Sequence, residues 1–271
     1  MGGSTGGSTG GSGVPGARAP NASLRRPGAA RAGSRTSTGL FTRSVLDYAA
    51  HQSGQVISVL QLGCVTAGSD LDLTGQDARR YRFAVTMLDD DNAVTRSAVA
   101  RQPGLSQAIL GDLRAVPLTP RSVDVVHCGR LLDRISHTEI LLSRLVDALR
   151  PGGLLLVRTA DRQTAAGFLD RTLPRPLRAL TWRRLRPGEP GPYPAVYEPL
   201  TSARGLQAFA TRHGLVVAGR EATSELAVQR RPVIAASRAV VSAVSRGRLT
   251  AGHDTLGYVI RKPEDRFARI L

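Results

Sequence analysis

Residues 111–157 read GDLRAVPLTPRSVDVVHCGRLLDRISHTEILLSRLVDALRPGGLLLV. Two apolar runs, Val123–Val126 and Leu154–Val157, flank a segment of helical periodicity. In it Ile140, Leu141, Leu142, Leu145, Val146 and Leu149 recur at the spacing of one helix face. Ser136 with Glu139 three residues later has the pattern of a capping box. Pro151, Gly152 and Gly153 supply a stop. Strand, helix and strand in this order make a β-α-β unit, and such crossovers build parallel sheets. Ligands bind these sheets outside the carboxyl ends of the strands. The same stretch therefore indicates a fold and the edge on which to seek chemistry.

On the amino-terminal side, Leu40, Phe41, Val45, Leu46 and Ala49 have helical spacing. Strands are expected at Val56–Leu62, Phe83–Leu88, Gln107–Leu110 and Val123–Cys128, before the one at Leu154–Val157. Beyond an irregular stretch, a helix is expected at Ala203–His213, a strand at Leu215–Ala218, a long helix over roughly Glu225–Arg246 and a last strand at Thr255–Ile260. The arginines rimming the long helix suit a basic surface on an anionic membrane, but packing of its apolar face on the sheet is preferred. Residues 1–38 are Gly, Ser, Thr, Ala, Pro and Arg, with no acidic residue before Asp47. Such a composition cannot bury enough apolar area to offset chain entropy, so a disordered tail is expected. Residues 39–271 then form one domain, with 161–202 as an insertion over the substrate side, a partial lid. In that insertion Arg183, Arg184 and Arg186 flank Trp182, and Tyr193 and Tyr197 are candidates to line a pocket. A solvated basic face beside a buried Trp is the alternative.

The chain has 271 residues, 41% of them hydrophobic and only 4% aromatic, so its core rests on Val, Leu, Ile and Ala. No apolar run approaches the ~20 residues that span a bilayer, and no apolar signal segment opens the sequence. Two cysteines, Cys64 and Cys128, make no disulfide framework, and a cytoplasmic setting is expected. The net charge of +16 invites a polyanion partner. Yet of 37 basic residues only Lys262 is lysine. That is a compositional bias rather than a nucleic-acid footprint, and a nucleic-acid partner is not favoured. The single lysine also removes a P-loop lysine, and a short-chain dehydrogenase reading is set aside.

The order of elements resembles a class I S-adenosylmethionine-dependent methyltransferase of the type 11 kind. The residues that carry the resemblance are GD…VPL…SVDVVHCGRLLDRI and ALRPGGLLLV, within a span of roughly Leu40 to Lys262. It implies a Rossmann-like, doubly wound α/β fold. The sheet would have seven mostly parallel strands in the order 3-2-1-4-5-7-6, the seventh antiparallel. It also implies S-adenosyl-L-methionine as cofactor, methyl transfer as the activity and a small-molecule acceptor.

A nucleotide-like ligand on such a sheet needs a tight turn of small residues after strand one. It also needs a carboxylate ending strand two for ribose hydroxyls and a polar residue after strand three for the adenine edge. The chain offers LGCVTAG (62–68), Asp89 and Asp112 there. The candidate cofactor residues are Gln61, Gly63, Cys64, Ala67, Asp89, Asp112 and Leu113. Asp90 or Asp91 replaces Asp89 if the strand ends later, and Asp112 is alternatively a turn residue capping the next segment. Against the family pattern, Gln61 stands for an acid, Val65 for the second glycine and Ala67 for the third. Val65 disfavours positive φ and occupies space near the methionine end.

Methyl transfer asks the protein mainly for alignment. A base helps where the acceptor must lose a proton. His127, ending strand four, is the candidate base, and a histidine packed at a strand end is the alternative. Cys128 reads as a small buried residue rather than a nucleophile. No metal is expected. A catalytically silent binding module of the same fold is the competing function.

Overall fold

A computed structural model of the chain describes residues 37–52, 54–63, 71–75, 77–100, 105–185, 191–224, 232–246 and 248–264. The expected tail, residues 1–38, lies outside them except for Ser37 and Thr38, which open a helix. The strands are β1 (Val56–Leu62), β2 (Arg82–Asp89), β3 (Gln107–Leu110), β4 (Val123–Gly129), β5 (Leu149–Ala160), β6 (Val216–Thr223) and β7 (Thr255–Arg261). The described helices are α1 (Ser37–Ala50), α2 (Ala93–Val99), α3 (Thr138–Ala148), α4 (Ala165–Thr172), α5 (Arg175–Leu185), α6 (Ala203–Arg212) and α7 (Pro232–Val244).

The strands form one sheet in the order β3-β2-β1-β4-β5-β7-β6. β1 to β5 pair in parallel, and β7 runs antiparallel to both β5 and β6. This is the expected doubly wound α/β sheet in the expected order. Successive side chains of a strand face opposite sides, so each strand feeds two cores. Val59, Val125, Leu156 and Val259 pack with Phe41, Val45 and Ala49 of α1. Leu60, Val126, Leu155 and Ile260 pack with Leu141, Leu142 and Leu145 of α3 and Leu206 and Phe209 of α6.

A polar buttress stands at the amino end of β4. The half-exposed Arg150 donates to both oxygens of Asp124, which is 5% exposed. The backbone N–H of Ser58 on β1 donates to it at 2.8 Å, and the Tyr48 hydroxyl on α1 at 3.1 Å. One carboxylate thus ties α1, β1, β4 and β5. Burial, followed by the charge of Asp124, drives the Tyr48 hydroxyl pKa well above its usual value.

Three local expectations are corrected. The capping box is not formed: α3 begins at Thr138, and His137 at its N-cap has φ 61 with no side-chain cap. Glu198 supplies the cap instead. It accepts from the N–H groups of His137 and Thr138 at 2.6 and 3.0 Å and from the Thr138 hydroxyl at 2.6 Å. A carboxylate across the fold competes successfully with Glu139, which pairs with Arg212 at 2.8 Å. Second, the helix does end ahead of Pro151, but the strand expected at Leu154–Val157 starts earlier: β5 begins at Leu149 and takes in Pro151–Gly153. The Gly152 N–H donates to the Lys262 carbonyl at 2.9 Å. Third, β6 runs on to Thr223 through Gly219, Arg220 and Glu221, because an edge strand with half-exposed alternation needs no apolar run.

The long helix is described only as Pro232–Val244; residues 225–231 lie outside the described residues. Its Val240 and Val244 are exposed, so at least these two are not packed on the sheet as expected. The dehydrogenase reading fails on geometry. Tyr258 does stand four residues before Lys262, but a Tyr-x-x-x-Lys pair meets only on a helix. On β7 the Tyr258 hydroxyl donates to the Ala203 carbonyl, and Lys262 Nζ donates to the carbonyls of Val146 and Leu149.

Candidate active site

The carboxyl ends of β1, β2, β3 and β4 share one edge. β1 ends at Leu62, and Gly63 turns the chain with φ 65. A Cβ there would stand 2.7 Å from the Gly129 carbonyl oxygen and 2.9 Å from Leu131 Cβ, so only glycine lets the two strand ends close. Cys64, Val65 and Ala67 lie outside the described residues. Gln61 is 4% exposed and stands in register with Met87 on one side and His127 on the other. Its side chain lies on the sheet face that α1 covers.

Asp89 closes β2 and is 5% exposed. The Asp90 N–H donates to its Oδ1 at 2.9 Å, and its carbonyl accepts from Gly111 at 3.1 Å. β2 therefore ends at Asp89 and not later, and Asp90 and Asp91 are exposed. Asp112 is exposed and bound to Arg114, whose Nε and Nη2 donate at 3.0 and 3.2 Å. The Arg114 N–H donates to Asp112 Oδ1 at 2.9 Å, the turn-capping geometry. These bonds hold the Asp112 carboxyl below the usual range. Asp90 moves the opposite way, raised by burial and by the neighbouring Asp112 charge. Leu113 is 2% exposed in the main core, so its side chain presents nothing polar to a ligand.

His127 is fully buried. Its ring meets the Phe41 ring edge-on at 5.5 Å, on the α1 face. Burial, followed by the charge of Arg158, brings its pKa down to about 3. An imidazole this hard to protonate takes a proton poorly, and the buried ring offers no face to solvent. Cys128 points to the other face, fully buried, and its thiol is pushed up to about 12 by burial and the charges of Asp133 and Asp89. It is no nucleophile.

Sequence reasoning passed over Arg158. It is 1% exposed beneath α1, where it donates to Glu221 at 2.6 Å and lies 5.2 Å from the Phe41 ring centre. A charged residue between Val157 and Thr159 on β5 gave no sign of its partner, because Glu221 is 63 residues away.

The insertion is tied down rather than loose. The Val196 and Tyr197 N–H groups donate to the Asp133 carbonyl, just past β4, at 3.0 and 3.3 Å. Tyr197 is buried and donates to Asp170 at 3.0 Å. Trp182 meets the Tyr193 ring at 5.7 Å, and Arg134 lies 3.8 Å over that ring. Arg183 and Arg184 are exposed, and Arg186 lies outside the described residues. A second feature of the edge is a cavity of about 450 Å³ at the ends of β5 and β6. Among the described residues no helix is long and apolar enough to cross a membrane, and no cluster of His, Cys, Asp and Glu is suited to a metal.

Residues 60–157 match the methyltransferase domain family. The chain is 35% identical over 115 residues to the probable S-adenosylmethionine-dependent methyltransferase of Mycolicibacterium smegmatis. That match covers 42% of each chain, so it spans under half the length of the curated relative. Among solved structures, the complex of the Haloferax volcanii Trm112 methyltransferase activator with its methyltransferase matches with a TM-score of 0.50. The identity there is 15%, over 85% of this chain and 91% of that one. A methyltransferase of Mesorhizobium loti matches with a TM-score of 0.48 and 16% identity, over 84% of this chain and 100% of that one. The methyltransferase-domain match falls on the central strands of a sheet with the order β3-β2-β1-β4-β5-β7-β6 and an antiparallel β7, the order expected for that fold.

Proposed function

We propose that this chain transfers a methyl group from S-adenosyl-L-methionine to a small-molecule acceptor. The observation that carries this reading is the edge built by Gly63 and Asp89. There a positive-φ glycine closes β1 onto β4, and a buried carboxylate ends the neighbouring β2. A buried carboxylate at a strand end suits a pair of ribose hydroxyls, from which it accepts charge-assisted hydrogen bonds. The residues described fit the cofactor, which supplies an electrophilic methyl group on a sulfonium.

In this reading Asp89 holds the ribose, and the turn from Asp112 to Leu113 borders the adenine, Leu113 through its backbone. Gln61 and Gly63 border the methionine end, and Cys64 and Ala67 are assigned to it from the sequence alone. Arg114 keeps the Asp112 carboxylate occupied, so adenine contact there falls to backbone groups or follows a shift of that pair. Proton transfer is moved away from His127, which serves packing under α1. The insertion, pinned to Asp133, acts as a fixed partial lid that excludes water. The two-cysteine composition supports a cytoplasmic setting.

The silent-module reading keeps one specific support, Val65 and Gln61 where the family has glycine and an acid. Calorimetric titration with S-adenosylhomocysteine separates the two. Saturable heat supports the transferase; none at high protein concentration favours the silent module, and restored binding in Val65→Gly would secure that alternative. Binding to nucleic acid through the arginine surface would instead show steep salt dependence.

A further inference from the structure

The cavity at the ends of β5 and β6 holds a constellation that the cofactor edge does not use. Its lining includes Asp161, Arg220, Arg248, Thr250, His253 and Tyr258. Its volume, about 450 Å³, falls within the range of small-molecule sites. Asp161 follows β5, the sheet neighbour of β4, so its wall lies one strand, ~5 Å, from the line of β4.

Three features give the cavity a chemical character. Asp161 is 3% exposed, and its two oxygens are both used: Oδ1 accepts from the Gln163 N–H at 2.8 Å, and Oδ2 lies 2.9 Å from His253 Nε2. A carboxylate can only accept, so the ring donates through Nε2, and in its neutral form Nδ1 is the nitrogen without a proton. The imidazole is one quarter exposed, enough to meet a ligand. Arg220 and Arg248 are exposed at the same cavity and have no carboxylate partner among the described residues. The Arg220 charge acts on the Tyr258 hydroxyl, opposing the rise in its pKa that burial causes. The remaining acidic residue of the lining, Glu221, is neutralised by Arg158 at 2.6 Å. Among the described residues, two arginines therefore line the cavity without a carboxylate partner, beside a carboxylate-oriented histidine.

We infer that this cavity binds a small acceptor carrying a carboxylate or phosphate group, which Arg220 and Arg248 hold, and that His253, oriented by Asp161, takes the proton from the acceptor's reacting O–H or N–H. The identification as an acceptor site rests on the methyl-transfer reading; the anion site does not. His253 Nδ1 gains the proton. The electron pair left on oxygen or nitrogen forms the bond to the methyl carbon, while the pair of the broken carbon–sulfur bond stays on sulfur as a neutral thioether. The arginines fix the anion by forked hydrogen bonds.

The test tracks the His253 ring carbon signals of the full chain by NMR, during titration with benzoate and with inorganic phosphate against chloride at equal ionic strength. One or both anions are expected to shift these signals saturably and to raise the histidine's titration midpoint. The surface variant Arg220→Gln/Arg248→Gln should weaken binding by at least ~tenfold with unchanged thermal stability. Asp161→Asn should keep anion binding while changing the His253 midpoint. The anion site is overturned if neither anion gives a saturable shift, or if the double variant binds as tightly as the native chain. The proton role is overturned if the His253 midpoint ignores both the bound anion and Asp161→Asn. S-adenosylhomocysteine binding, measured separately, keeps the two readings apart. Anion binding without it leaves the cavity site standing and sinks methyl transfer, and the reverse result does the opposite.

Discussion

Gly63→Ala offers a quantitative check on how the strand-end edge is closed. The substitution has two costs that the structure separates. An alanine at φ 65 carries the left-handed backbone penalty of about 1–2 kcal/mol. Its Cβ would also sit 2.7 Å from the Gly129 carbonyl oxygen and 2.9 Å from Leu131 Cβ. One of those is backbone and the other is fixed to it, so neither swings aside, and overpacking of this kind adds about 1–3 kcal/mol. The expected destabilisation is about 2–5 kcal/mol, or roughly 4–20 °C in Tm for a domain of this size. Gly54 and Gly214, at φ 75 and 63, have nothing within 4 Å of an added Cβ, so alanine there carries the backbone penalty alone. Urea unfolding of the three variants, monitored by circular dichroism, isolates the contact cost as a difference. Equal stability of Gly63→Ala and Gly214→Ala would refute the close approach of β1 to Gly129. In the folded fraction, S-adenosylhomocysteine affinity should fall for Gly63→Ala and hold for Gly214→Ala.

Other expectations are checked more simply. Asp124→Asn leaves Arg150, the Ser58 N–H and the Tyr48 hydroxyl without their common anion. It should cost about 2–4 kcal/mol in denaturant unfolding, whereas a cost under ~0.5 kcal/mol would mean that the buttress is ornamental. Burial raises the Glu198 pKa, but the hydrogen bonds from Thr138 and His137 outweigh it, and the carboxyl titrates below its usual range. Its stabilisation is therefore present above the unfolded pKa and lost as pH falls through the folded one. Glu198→Gln should cost about 1–2 kcal/mol at neutral pH, and a cost unchanged in acid would exclude charge as the cause. His127 is depressed to about 3 from 6.5, so the unfolded chain gains a proton first as pH falls. Relative to His127→Gln, stability should drop by about 1.4 kcal/mol per pH unit between about pH 6 and 4, and parallel stability curves would mean the imidazole is not shielded.

The sheet was legible because its strands are apolar runs between recognisable punctuation, and because the 111–157 unit fixes the hand of one crossover. Asp89 could be placed because the apolar run ahead of it stops there. Where sequence reasoning missed, the cause was distance along the chain. Glu198 caps a helix 60 residues earlier, where a local Ser-x-x-Glu signal pointed to Glu139. The Asp161–His253 pair is separated by 92 residues and sits in turns without periodicity. His127 was read from its place at a strand end, but which way a strand residue points depends on register, and register turns it under α1. Arg220 and Glu221 sit in a strand half-exposed by alternation, so no apolar run announced it.

Calorimetry of the native chain and Asp89→Asn decides whether the edge closed by Gly63 and ended by Asp89 holds S-adenosylmethionine. Saturable binding of S-adenosylhomocysteine by the native chain is expected, weakened about 10- to 100-fold in Asp89→Asn through loss of charge-assisted bonds to the ribose. No heat from the native chain at high concentration, or equal affinity in the variant, would contradict it.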